Sequence, residues 1–320
     1  MDASDADSSS SRSKGEKITN AIAVFLLCVL VIGGVAFARR NLRLGRGDRR
    51  GATRLSLFFA GALSIGWIMS EHHVPSFWEV YLIAMFMGAV LLLVGLLWTL
   101  YIALEPFVRR RWPQVLVTWT RLSAGDWRDP LVGRDVLIGC AAGTAAGCLG
   151  RLQILAPSWF GYPESELVTP LIEALSGAAP FVSRLGTLIA FGVLNALAPL
   201  FLLFVLRILL RNQWAAAAVL TVILTTPTAL QIEAPWIGAP IAFTATALGL
   251  FVLMRYGAIA SFVLGLVTDL SFTFPSTFQT SAWYAGAGYA GVAIIAAVSL
   301  FAFQTSLGGR RLLDFARAEA

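Results

Sequence analysis

The chain has 320 residues, of which 58% are hydrophobic and only 13% are charged, and its mean hydropathy is +0.76. Soluble domains carry about 25% charged residues, so this composition excludes a soluble globular protein and indicates a membrane protein. The net charge of +6 does not indicate a nucleic-acid partner, because the 24 basic residues are divided among short segments between apolar runs.

The chain divides into a polar start, a long apolar region and a short end. Residues 1–17 are rich in Ser and Asp, and we predict a disordered tail there. A polytopic membrane domain is predicted over 18–305, and a cytoplasmic tail over 306–320. A spanning helix needs about 20 mostly apolar residues, because the bilayer core is about 30 Å thick. The predicted spans lie near 18–37, 55–70, 78–104, 136–155, 185–206, 214–232, 237–254, 257–274 and 287–304. The predicted fold class is therefore an all-α integral membrane protein, a bundle of about nine transmembrane helices.

Arginines occur in every second loop of this bundle. They lie over 39–54 and 109–134, at Arg207 and Arg211, at Arg255 and in the C-terminal tail, whereas the intervening loops have almost none. Because positively charged loops stay in the cytoplasm, we predict a cytoplasmic C-terminus and an outer N-terminus. The arginines expected to contact anionic inner-leaflet lipids or a cytoplasmic partner are Arg39, Arg40, Arg43, Arg46, Arg49, Arg50, Arg109, Arg110 and Arg111.

Two loops contain amphipathic segments, for which we predict helices that lie in the membrane interface. The apolar face of the inner segment comprises Trp112, Val115, Leu116, Trp119 and Leu122. The apolar face of the outer segment comprises Leu167, Leu171, Ile172 and Leu175. The alternative is that both are ordinary connecting loops.

The fourth predicted span has Gly139, Gly143 and Gly147 at every fourth position. A face of small residues lets another helix approach closely, so we predict helix packing, within the chain or in a homo-oligomer. Arg151 follows on the same span, and we expect it to pair with an acidic residue near the outer interface.

Polar residues inside predicted spans are candidate ligand or ion contacts, because such residues are costly in a bilayer. They are Asp269, Asn195, Thr225, Thr226 and Glu79. Pro199 frees the backbone carbonyl of Asn195, and Pro227 frees that of Ile223. Broken helices of this kind line the sites of transporters, but they also occur as plain kinks in structural bundles, which is the interpretation that we favour.

Signs of catalysis are few. Glu71, His72 and His73 are the metal-ligand candidates, although adjacent residues seldom converge on one ion. The chain contains no G-x-S-x-G, HExxH or P-loop motif. We therefore predict that it is not an enzyme and that it uses no cofactor.

Three stretches carry a family resemblance. They are "ARRNLRLGRGDRRGATRL" at Ala38–Leu55, "HHVPS" at His72–Ser76 and "LEPFVRRRWPQVLVTWTRLSAGDWRDPLVGRDVLIG" at Leu104–Gly139. Together they resemble the multi-pass membrane region of bacterial receptor-like serine/threonine protein kinases, over about Ile18 to Gly139. In that family the kinase domain is cytoplasmic and precedes the membrane region. Nothing in this chain corresponds to the kinase domain, so no kinase residue is carried over.

Two functional hypotheses follow. The first is an inner-membrane signalling or sensor module without catalysis of its own, which works with a kinase through the inner loops 39–54 and 109–134. The second is a small-solute transporter or permease that uses the broken spans around Asn195, Pro199, Pro227 and Asp269. An intramembrane enzyme is a distant third.

Overall fold

A computed structural model describes residues 3–70, 75–112, 118–119, 121–122, 125–162, 172–232, 234–275 and 277–308. In these ranges the regular structure is helical, which confirms the predicted all-α bundle. The α-helices are α1 (Ala3–Cys28), α2 (Gly34–Arg43), α3 (Arg49–Ser70), α4 (Phe77–Arg111), α5 (Pro130–Leu155), α6 (Ile172–Leu175), α7 (Ala178–Leu210), α8 (Gln213–Gln231), α9 (Pro235–Tyr256), α10 (Ala258–Thr273) and α11 (Ala285–Ser306).

Eight helical segments are long and apolar enough to cross a membrane. The first of them, Lys14–Arg43, joins α1 to α2 through a π-helical turn at Val29–Gly33. Helix α1 begins at Ala3, within the segment for which the sequence predicts disorder. The ninth apolar helix, α10, has only 16 residues. The chain is thus a multi-pass membrane protein.

Capping side chains and a glycine mark the ends of several helices. Asp129 caps α5, because its carboxylate accepts the backbone N–H of Leu131 at 2.8 Å, and Pro130 suits the first helical turn. Asn212 caps α8 through the N–H of Trp214 at 2.9 Å. Gly257, with φ of +96°, separates α9 from α10. The sequence predicts this boundary at Arg255 and Tyr256, directly before Gly257.

Helix α7 is the most deeply buried of the eight long helices. Its aromatic residues form the centre of the bundle with residues of α2 and α4. The rings of Phe37 and Phe107 lie 4.9 Å and 4.1 Å from the ring of Phe204, measured between centroids. The packing of these aromatic side chains against one another stabilises α7 at the centre of the bundle.

The long helical segments and α10, with α1 and α2 counted as one, alternate in direction, so their ends collect at two ends of the bundle. We call the end with the loops after α2, α4, α7 and α9 the basic end. There the Trp112 indole N–H donates to Gln213 at 3.2 Å, and the Arg207 guanidinium lies 4.7 Å from the Trp112 ring centroid. Gly308, after α11, lies beside Pro130 at this end.

The C-terminal ends of α3, α5, α8 and α10 lie at the opposite end. Here the Trp236 indole N–H donates to the Tyr162 hydroxyl at 3.0 Å. Gly15, in the middle of α1 and at the start of the apolar segment Lys14–Arg43, lies against the backbone of Leu230, the second-last residue of α8. Gly15 and Gly308 are therefore at opposite ends of the bundle.

Candidate interaction site at the basic end

The loop between α2 and α3 is tied to α4 at a proline. Pro106 has no N–H, so the carbonyl four residues earlier, that of Ile102, lacks its helical donor. The Asn41 side-chain amide donates to that carbonyl at 2.9 Å and to the Ala103 carbonyl at 3.1 Å. One amide therefore satisfies the break in α4 and fixes the end of α2 against it.

A buried carboxylate, that of Glu105, lies on α4 directly before Pro106. The Glu105 side chain, only 4% exposed, forms an ion pair with Arg109 one turn later on α4. Asp48 lies close enough for its charge to act on both Tyr101 and Glu105. The Asp48 carboxylate also accepts the N–H of Gly51 at 2.9 Å, which orders the first turn of α3.

The second inner loop is held by its acidic residues. Asp135, 1% exposed, accepts a hydrogen bond from the Thr118 hydroxyl. The Arg134 guanidinium donates to the same carboxylate at 2.8 Å and 3.0 Å. Arg121 forms an ion pair with Asp129, the residue that caps α5. The acids of this loop thus hold it in a defined conformation against the bundle.

The arginines expected to contact lipid or a partner lie outside this scaffold. Those with exposed side chains are Arg39, Arg40, Arg43, Arg46, Arg49, Arg50, Arg109 and Arg110. The side chain of Arg111 is outside the described residues. Positive charge therefore covers the surface of the basic end, while buried amide and carboxylate groups hold the loops beneath it.

Part of the predicted inner amphipathic helix is described. Trp112 and Trp119 are buried, and the Trp112 ring packs edge-on against Phe107 at 5.7 Å. Leu122 is exposed, and Val115 and Leu116 lie outside the described residues. The two tryptophans thus face the bundle.

In the outer amphipathic segment, Leu167 and Leu171 lie outside the described residues, and the side chain of Ile172 does too. The short helix α6 ends at Leu175, whose side chain is buried beside Phe274.

The polar residues of the predicted spans have separate surroundings. Asn195 is exposed on the side of α7. The hydroxyls of Thr225 and Thr226 donate to carbonyls of their own helix at 2.7 Å, those of Thr221 and Val222. Such bonds satisfy the hydroxyls within α8 and leave them no donor for a ligand.

Two charged candidates lie towards the opposite end. Asp269 of α10 lies near Arg184 of α7, so its charge has a partner of opposite sign. Glu79, in the first turn of α4, has interactions of its own. Arg151, which we expected to pair with an acidic residue, donates to the Ser271 carbonyl at 2.6 Å, and no ion pair of Arg151 lies within the described part of the chain. Ser271 is in the last turn of α10, where backbone carbonyls have no helical donor and can accept a guanidinium N–H.

The glycine face of α5 is covered by α10. An added Cβ at Gly139 would lie 2.7 Å from the Ala260 carbonyl oxygen, and one at Gly143 would lie 2.7 Å from that of Leu264. At Gly147 the nearest atom, of Ser271, would be at 3.5 Å, an ordinary contact. The close approach is therefore within the chain, between α5 and α10.

The metal candidates Glu71, His72 and His73 lie outside the described residues. Among the residues that are described, no group of three or more His, Cys, Asp or Glu side chains is placed to hold a metal ion.

The sequence indicates the arginines of the basic end but misses the residues that hold its loops. Glu105 falls one residue beyond the predicted span 78–104, and Asn41 is a lone amide among arginines. One signal was present: an acidic residue directly before Pro106, with an arginine four positions later, marks a helix break that needs polar partners.

Fold and site together define a multi-pass, all-helical membrane protein with a structured basic end. Comparison with protein-family profiles, with curated proteins and with solved structures finds no match to this chain.

Proposed function

We propose that this protein is a signalling module of a bacterial inner membrane and that it acts through its basic end on a cytoplasmic protein kinase. The observation that carries the proposal is the polar anchoring of both inner loops. Orientation in a membrane requires only enough positive charge on a loop, not a fixed conformation. Here Asn41 fixes the end of α2, where the first loop begins, to α4, and Asp135 of α5 holds Thr118 of the second loop. A fixed, positively charged surface suits recognition of a partner.

The proposal includes an orientation. The basic end faces the cytoplasm, since arginine-rich loops are retained there, and the start of α1 lies on the outer side. A membrane-impermeant maleimide tests this on intact cells, with single cysteines in a background without Cys28, Cys140 and Cys148. A cysteine at exposed Ser281 of the opposite end should react, and one at exposed Arg46 should react only after lysis. The reverse pattern would contradict the orientation.

Signalling is tested by comparing protein phosphorylation in the native host. Deletion of the gene should change phosphorylation at a defined set of sites, and the wild-type chain should restore it. The N41A/E105Q variant should fail to restore it, because it removes the bonds of Asn41 to α4 and the carboxylate to which the Asp48 backbone bonds, while every arginine remains. The matched control is G88A on α4, where an added Cβ meets nothing within 4 Å. Unchanged phosphorylation on deletion, with no kinase recovered by pull-down, would refute the proposal.

A transporter is the second candidate, and the presence of Asp269 within an apolar helix, where the charge of Arg184 acts on it, favours it. The exposed position of Asn195 and the internally bonded threonines of α8 weigh against it. Solute uptake into proteoliposomes distinguishes the two candidates. A transporter would give uptake with the wild-type protein and none with D269N, whereas a signalling module would give no uptake with wild type or with D269N.

A further inference from the structure

We propose that a cleft at the C-terminal end of α2 binds the phosphate headgroup of an anionic phospholipid. The cleft has a volume of about 560 Å³ and is lined by Ala36, Arg39, Arg40, Arg43 and Leu44. This inference goes beyond the signalling function, because lipid binding at the cleft requires no protein partner.

The arginines share one face of a helix whose other face is fixed. The lining residues recur at helical spacing, so the three guanidinium groups emerge on the same side of α2. On the other side Ala38 is buried, and Asn41 is bonded to α4. The backbone that carries the arginines is therefore held in place before any ligand binds, which lowers the cost of ordering the site.

The charge of the cleft selects an anion. Among the described residues, no carboxylate lines the cleft and no ion pair involves Arg39, Arg40 or Arg43. Asp48, the nearest acidic residue in the sequence, is bonded to the N–H of Gly51 instead. Guanidinium groups bind phosphate oxygens through paired N–H donors, so three of them suit a phosphate group.

A second cleft at the basic end differs from the first in the charge of its lining residues. It is lined by Gly125, Asp126, Trp127, Arg128, Asp129 and Phe301. Its two carboxylates oppose one guanidinium, so it has no excess of positive charge. Of these two clefts, the one on α2 combines several arginines with no acidic residue among its described lining residues.

Apolar residues next to the cleft identify the ligand as a lipid rather than free phosphate. Ile32 is 69% exposed and lies one turn before Ala36, and exposed Val35 lies one turn before Arg39. Acyl chains that extend from a headgroup at the arginines would contact these side chains along the helix. An anionic head next to an apolar strip matches a phospholipid whose phosphate lies at the membrane surface.

Native mass spectrometry of the purified protein in non-ionic detergent tests the site. Phosphatidylglycerol and phosphatidylcholine are titrated against wild type, the cleft variant R39Q/R40Q/R43Q and the control R54Q/R211Q/R255Q. The control removes the same charge from exposed positions that lie outside the cleft and are not among the arginines expected to contact lipid. One arginine near an anionic lipid contributes about fivefold to binding, so the cleft variant should bind phosphatidylglycerol about 100-fold more weakly than wild type. The control should bind it within about threefold of wild type, since its arginines are outside the cleft.

Each other outcome contradicts the proposal. Equal losses in both variants would indicate general charge attraction, and unchanged binding by the cleft variant would place the lipid elsewhere. Displacement of the lipid by millimolar inorganic phosphate would indicate a site for a soluble anion. A melting temperature equal to wild type shows that the cleft variant is folded, and R39K/R40K/R43K should recover only part of the affinity, because lysine lacks the paired donors. The purified protein contains no kinase, so failure here is distinct from failure of the signalling proposal.

Discussion

Alanine at Gly143 would test one of the close helix contacts in the bundle. The added Cβ would lie 2.7 Å from the Leu264 carbonyl oxygen and 2.8 Å from the Val267 Cβ. Carbon atoms prefer about 3.5–4.0 Å from one another, so α5 and α10 must separate or bend. The shift would also weaken the bond of 3.1 Å that the Thr268 hydroxyl donates to the Gly143 carbonyl.

The expected cost follows from these opposing effects. Overpacking costs about 1–3 kcal/mol, and the interhelical hydrogen bond contributes about 0.6 kcal/mol. Alanine regains up to about 1 kcal/mol as the better helix former. We expect G143A to lower the free energy of unfolding by about 1–2 kcal/mol.

Unfolding by sodium dodecyl sulfate in mixed micelles, followed by tryptophan fluorescence, measures the effect. The control is G265A on α10, where an added Cβ meets nothing within 4 Å. This control should be neutral or more stable, because only the helix propensity changes. If G143A is as stable as G265A, α5 and α10 are not in the contact described.

Three further predictions use the same unfolding measurement. N41A should cost about 1–3 kcal/mol, because two carbonyls lose their donor. The cost of N41A should be smaller in a P106A background, where alanine restores a helical N–H to the Ile102 carbonyl. If the costs of N41A and P106A are additive, Asn41 does not act on the carbonyl that Pro106 leaves free. T268V should cost about 0.6 kcal/mol, the size of one interhelical hydrogen bond, and a cost above about 2 kcal/mol would assign the hydroxyl a larger role. N195L should change stability by no more than about 0.5 kcal/mol, since the side chain is exposed; a large loss would place it inside the bundle.

The length of the apolar runs was sufficient to predict the helical bundle. A run of about 20 apolar residues has few alternatives to a spanning helix, because every backbone polar group must be paired inside the membrane. The alternation of arginines likewise predicted which loops share an end, as the contact of Trp112 with Gln213 illustrates.

The packing of the helices could not be predicted in the same way. Lipid and protein interior are both apolar, so hydrophobicity does not tell which face of a span is buried. Asn195 is polar yet exposed on α7, whereas Glu105 is charged yet buried. The glycine face of α5 indicated a close contact, but its partner, α10, depends on the tertiary arrangement.

Photo-crosslinking from the two ends of the bundle tests the signalling proposal most directly. Benzoylphenylalanine is placed in the native host at exposed positions of the basic end, Arg46 and Arg128, and of the opposite end, Trp159 and Trp283. The proposal predicts that a protein kinase is crosslinked from the basic end and not from the opposite end. Absence of a kinase from every crosslinked product, or a kinase crosslinked only from the opposite end, would contradict it.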